Sequence, residues 1–120
     1  MKLDNAEKLF DLSYLNQIFQ GNKEMISHII SLFLDQVPGY IDEMQACIDR
    51  DDLRALHLLA HKAKSSIAML GIKTMESKIH QIEFDSKHQQ NMSELPQLVQ
   101  QISSECDTVL DQLRARQRAA

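Results

Sequence analysis

The segment Asp52-Leu53-Arg54-Ala55-Leu56-His57-Leu58-Leu59-Ala60-His61-Lys62-Ala63-Lys64-Ser65-Ser66-Ile67-Ala68-Met69-Leu70-Gly71 decides how this chain is read. Leu53, Leu56, Ala60, Ala63, Ile67 and Leu70 recur every three or four residues, the spacing that stacks side chains on one face of an α-helix. Asp51 or Asp52 offers a side-chain oxygen to the free N–H groups of its first turn. Gly71 is a natural stop. The spacing predicts a helix over about 52–70, buried along one stripe that centres, at about 100° per residue, between Ala60, Ala63 and Ile67. His61 falls well off that centre, toward solvent. His57 and Lys64 lie nearer the same edge of the stripe, and Leu58, Ser65 and Met69 project further outward beside His61. Leu58 and Met69 are apolar with no evident core to enter; a partner surface would explain them, although isolated exposed apolar residues are also common.

Working outward, four more helical stretches appear. A short one, about Asp11 to Gln20, has Leu12, Leu15, Ile18 and Phe19 on one side and ends at Gly21-Asn22; it is too short to stand alone. The next, about Lys23 to Arg50, follows helical spacing through Ile26, Ile29, Ile30, Phe33, Val37, Ile41, Met44 and Ile48. Pro38-Gly39 interrupts it, and a kink or break is expected there. Beyond Gly71, a helix over about Lys73 to Lys87 turns Met75, Ile79 and Ile82 inward. The last begins near Ser93, an expected N-cap, with Pro96 tolerated in its first turn. Leu95, Leu98, Val99, Ile102, Cys106, Val109, Leu110 and Leu113 form its stripe. Short connections favour antiparallel neighbours. The expected architecture is all-α: an antiparallel four-helix bundle with a short additional N-terminal helix packed over one end. A single domain over 1–120 is expected, with its ordered core at about 10–116.

Composition agrees. A chain of 120 residues supports one core, and three Gly and two Pro leave too little turn chemistry for many short strands. A net charge of −4 argues against nucleic-acid binding, which needs a concentrated basic surface. The basic cluster Arg114, Arg116 and Arg118 suits the last turn of a helix. Cys47 and Cys106 fit no metal or redox spacing and are expected as small core residues. No charged start leads into an apolar signal segment, and no apolar run nears the roughly 18 residues of a membrane span. A soluble, cytoplasmic monomer is expected.

The chemistry centres on His61. Lys64 stands one turn further along, where its ammonium can favour a phosphoryl group on the ring. Lys62 points to another flank, where it can meet a partner's charge. On the following helix, Glu76, His80 and Glu83 gather along one edge of the stripe. If the two helices are antiparallel neighbours, one of these reaches the His61 ring. A carboxylate there would accept from one ring N–H, fix the tautomer and leave the other nitrogen free to attack.

These residues resemble the histidine-containing phosphotransfer (HPt) domains of multistep two-component relays. The family pattern is His, two residues, Lys, usually Gly, small residues and then a Gly, which reads here as His61-Lys62-Ala63-Lys64-Ser65-Ser66 closing at Leu70-Gly71. Asp11-Leu12-Ser13-Tyr14-Leu15 and Ile30-Ser31-Leu32-Phe33-Leu34 look like the family's opening helices. The resemblance implies that His61 is phosphorylated, that Lys64 sits beside the phosphoryl group, and that Glu83 hydrogen-bonds the ring. His80 together with Glu83 resembles the phosphotransfer domain of chemotaxis kinases, where a second histidine joins the network. Leu58, Ser65, Ala68 and Met69 form the implied partner-facing surface. The departure is Ser65, which adds a Cβ and a hydroxyl where the family usually has Gly. The implied partners are response-regulator receiver domains and a hybrid sensor histidine kinase. The chain has no nucleotide-binding motif of its own, so the implied role is a phosphocarrier with no intrinsic cofactor, Mg²⁺ coming with the receiver.

Two rival readings stand beside this one. The same bundle could bind a receiver as an adaptor without accepting phosphate. Alternatively it could hold a metal, with His57 and His61 one turn apart and His80-x-x-Glu83 adding ligands, though the paired Glu-x-x-His motifs of di-iron bundles are missing.

Overall fold

In a computed structural model, which describes residues 8–119, the chain forms five α-helices: α1 (Ser13–Ile18), α2 (Lys23–Asp49), α3 (Leu53–Met69), α4 (Lys73–His88) and α5 (Leu95–Ala119), with a 3₁₀ turn at Met92–Glu94 before the last. No strand occurs among the described residues. α2 to α5 run alternately up and down. α3 packs between α2 and α4, and α5 closes the ring against α4 and α2. The fold is the expected antiparallel four-helix bundle.

Local signals set most boundaries. Asn22 caps α2 by accepting from the Met25 N–H, and Asp52 caps α3 by accepting from that of Ala55. Gly71, at φ +61°, turns the chain out of α3. Between α4 and α5, Gln89 and Asn91 take left-handed conformations at φ 54° and 53°. The buried carboxylate of Asp85 supports this turn: it accepts from the amides of Gln81 at 2.8 Å, Gln90 at 3.5 Å and Asn91 at 3.5 Å. Ser93 does not cap α5 as expected; it lies inside the 3₁₀ turn that leads into the helix.

The break expected at Pro38-Gly39 does not occur either, since α2 runs unbroken from Lys23 to Asp49. Pro38 leaves the Leu34 carbonyl without its helical donor. Val37 and Ile41, fully buried on either side, hold the two halves of the helix to one core.

The core is the sum of the predicted stripes. Ile30, Phe33 and Val37 of α2 meet Leu56, Ala60, Ala63 and Ile67 of α3, Met75, Ile79 and Ile82 of α4, and Val99, Ile102 and Val109 of α5. Cys47 and Cys106 are buried free thiols. Burial pushes both thiols up, that of Cys106 to about 12, so neither is a ready thiolate.

The N-terminal segment closes one end of the bundle. The Leu9 N–H donates to Gln112 Oε1 at 2.9 Å, and the Asp11 N–H donates to the Leu70 carbonyl at 2.8 Å. Phe10 and Leu15 complete the lid with buried side chains. This end holds the α3–α4 turn, so the lid fixes the end of the helix that carries His61.

Candidate functional site

The α3 register puts Leu56, Ala60, Ala63 and Ile67 inside and leaves His61 outside, with its side chain 66% exposed. α4 runs antiparallel beside it and brings up Glu83, whose side chain is only 13% exposed. The two carboxylate oxygens are divided. Oε2 lies 2.7 Å from His61 Nδ1, and Oε1 accepts from Lys64 Nζ at 2.6 Å. Because a carboxylate only accepts, this geometry places the proton on Nδ1. Nε2 points away from the bond and makes no hydrogen bond among the described residues.

The electrostatics of Glu83 suit that task. Its partial burial opposes ionisation, but hydrogen bonds from Lys64 and His61 and the charge of both outweigh it and hold the carboxyl below the ordinary carboxylate range. The group is therefore an ionised acceptor near neutral pH. It is fixed by an ammonium on one side and fixes an imidazole on the other.

A second histidine joins the arrangement. His57, one turn before His61, donates from Nδ1 to the backbone carbonyl of Glu83 at 3.1 Å. The two imidazoles lie 6.5 Å apart between ring centres. Glu83 is thus held from α3 at both its main chain and its side chain. The expectation for His80 is corrected here: it is exposed and makes no hydrogen bond to His61 or Glu83, so the second ring tied to Glu83 is His57. Glu76, the other carboxylate on that edge, faces Lys73 at 3.6 Å instead.

The remaining expected residues fall into place by register. Lys62, Ser65 and Ala68 are exposed, and Leu58 is half exposed, all on the outward side of α3. Met69, the last residue of α3, departs from expectation: it is partly buried against the core. Among the described residues no group of three or more His, Cys, Asp and Glu side chains converges as a metal site. His57 and His61 each direct Nδ1 to Glu83 rather than toward a shared centre.

The bundle thus presents one imidazole at its surface, backed by a carboxylate and flanked by an ammonium. Among known families, the Hpt domain matches residues 28–116. The match covers most of the chain, which therefore belongs to the Hpt domain family. Hpt domains carry out histidine phosphotransfer in two-component phosphorelays and interact with receiver domains; they are phosphocarriers, not enzymes with an ATP site. No curated protein and no solved structure matches the chain. No helix among the described residues is long and apolar enough to cross a membrane.

Proposed function

We propose that His61 accepts a phosphoryl group from the aspartyl phosphate of a receiver domain and passes it to the aspartate of another. The observation that carries this reading is the 2.7 Å bond between His61 Nδ1 and Glu83, which leaves Nε2 outermost with its lone pair free. In the forward step Nε2 attacks phosphorus, the N–P bond forms, and the P–O bond to the aspartyl carboxylate breaks. That carboxylate leaves with the electron pair. The ring becomes a phosphoimidazolium whose Nδ1 proton stays on the Glu83 bond, so the buried carboxylate offsets the new positive charge. Lys64 lies close enough to follow the incoming phosphoryl oxygens. The receiver contributes its own Mg²⁺. Phosphohistidine and acyl phosphate are both high-energy, so the step runs in either direction.

The test is incubation with a phosphorylated receiver. The wild-type chain takes up acid-labile phosphate, and His61→Gln takes up none while still binding the receiver. Label on the variant places the site elsewhere. Binding without label on the wild type supports the adaptor reading instead.

A further inference from the structure

α3 carries two histidines one helical turn apart, and both are tied to the same residue of α4. His57 Nδ1 donates to the Glu83 backbone carbonyl at 3.1 Å, and His61 Nδ1 donates to Glu83 Oε2 at 2.7 Å. Both oxygens only accept, so each neutral ring carries its proton on Nδ1 and a lone pair on Nε2. Neither Nε2 makes a hydrogen bond among the described residues. Histidines that bind a transition metal are prepared in this way. One ring nitrogen donates to a carbonyl or a carboxylate, which fixes the tautomer and raises the basicity of the nitrogen that ligates. Positions i and i+4 on one helix face can bring two such nitrogens to a single ion.

The surroundings leave room for one. The two ring centres stand 6.5 Å apart. Zinc bound at about 2.0–2.1 Å to both Nε2 atoms needs ring centres roughly 5–6.5 Å apart, so a small rotation of either ring is enough. His61 is 66% exposed and free to turn. His57 is half-buried, but it lines a hollow of about 310 Å³ between α3 and α4. The neighbouring ammonium of Lys64 is paired with Glu83 at 2.6 Å, which offsets its charge. Among the described residues no third His, Cys, Asp or Glu side chain converges with the pair, so water fills the remaining positions. An ion held in this way is exchangeable, unlike one in a closed four-ligand structural site.

We infer that His57 and His61 together chelate a divalent transition ion of the zinc class through their two Nε2 atoms. Both Nδ1 protons stay on their bonds to Glu83, and the ion gives up bound water in exchange for the two nitrogens. The ion then occupies the nitrogen through which His61 would take a phosphoryl group, so bound metal and phosphohistidine exclude one another. That consequence rests on reading His61 as the phosphoryl acceptor; the metal site itself does not.

The test uses the whole chain, stripped of metal with EDTA, and Zn²⁺ alone as the probe. Calorimetry should show one ion bound per chain. His57→Gln and His61→Gln should each weaken binding about tenfold or more, whereas His28→Gln, which removes an exposed histidine of α2, should not. In the wild type, the ¹⁵N signals of both Nε2 atoms should move as Zn²⁺ is added, while each Nδ1 keeps the shift of a protonated nitrogen. Zn²⁺ at a concentration that just saturates the wild type should also slow labelling of His61 by phosphoramidate, a small phosphoryl donor, about tenfold or more, and EDTA should restore it. At the same concentration His57→Gln should keep most of its own metal-free rate, which controls for Zn²⁺ acting on the donor. Binding that survives both variants overturns the inference, as does an equal loss with His28→Gln, which would be scattered surface binding. Undiminished labelling of the zinc-saturated wild type also overturns it, because His61 Nε2 is then not a ligand. A wild-type chain that takes no label in the absence of metal fails at the reading of His61 instead, and calorimetry still decides the metal site.

Discussion

The imidazole of His57 donates to the backbone carbonyl of Glu83 at 3.1 Å, tying α3 to α4 one turn before His61. His57 makes no hydrogen bond to the His61 ring, whose centre lies 6.5 Å away, so its effect must pass through the placement of Glu83. His57→Ala should cost about 0.5–1.5 kcal/mol of stability, the net worth of one hydrogen bond. It should also let the His61 ring sample both tautomers, seen as a change in the ¹⁵N shifts of Nδ1 and Nε2. His57→Gln, which keeps a donor, should restore part of each. Unaltered His61 shifts in the alanine variant would reduce His57 to a packing residue.

Glu83 serves two donors at once, and an amide cannot. Glu83→Gln keeps one acceptor oxygen and loses the charge, so either Lys64 or His61 is left without its acceptor. Transfer at saturating receiver should fall about tenfold, equivalent to about 1.4 kcal/mol in the transition state. A chain that transfers at the wild-type rate would show that the tautomer is set by the receiver.

The same carboxylate predicts a pH dependence of stability. Its folded pKa lies below the ordinary value of 4.5. A group depressed in this way adds stability that is present in full above the unfolded value and is lost as the pH falls through the folded one. Wild-type stability should therefore exceed that of Glu83→Gln at neutral pH, with the gap narrowing below about pH 4.5. Urea unfolding of both chains between pH 7 and 3 measures it; a gap that stays constant would mean that the carboxyl keeps its proton affinity on folding.

Ser65 is exposed one turn beyond His61, where the family usually has Gly. Removing its Cβ clears the approach of a partner loop but loosens the helix. Ser65→Gly should lower stability by about 0.5–1 kcal/mol and raise the transfer rate. A large fall in rate would show that the hydroxyl binds the phosphoryl group.

Gly71 has no room for a side chain. A Cβ there would lie 2.6 Å from the Asp11 carbonyl oxygen and 2.9 Å from the Asp11 Cβ, at a φ of +61°. Gly71→Ala should destabilise by about 1–3 kcal/mol and increase amide exchange at Asp11, whose N–H bonds the Leu70 carbonyl. Unchanged protection at Asp11 would mean that the turn adjusts without moving the lid.

The helices were legible because their apolar residues keep a helical period over many turns. Ala60 and Ala63 lie inside and His61 outside by the period alone, and Glu83 shares an edge with the ring once α4 is laid antiparallel. The misreadings share a cause. Pro38 is a breaker by its own chemistry, but the packing of Val37 and Ile41 on one core overrides it. Ser93 has the chemistry of a cap, yet the turn is organised from Asp85, a carboxylate whose burial nothing in its neighbours announces. His57 was visible as an edge residue, but its partner is a backbone carbonyl, which side-chain spacing does not reveal. His80 has the right residue type and register edge, but it is exposed and makes no hydrogen bond to Glu83.

Because the exposed imidazole of His61 hangs from one helix and the carboxylate that orients it from the next, the ring works as a strain gauge for the seam between them. On the proposed reading, parting that seam would disarm the nucleophile.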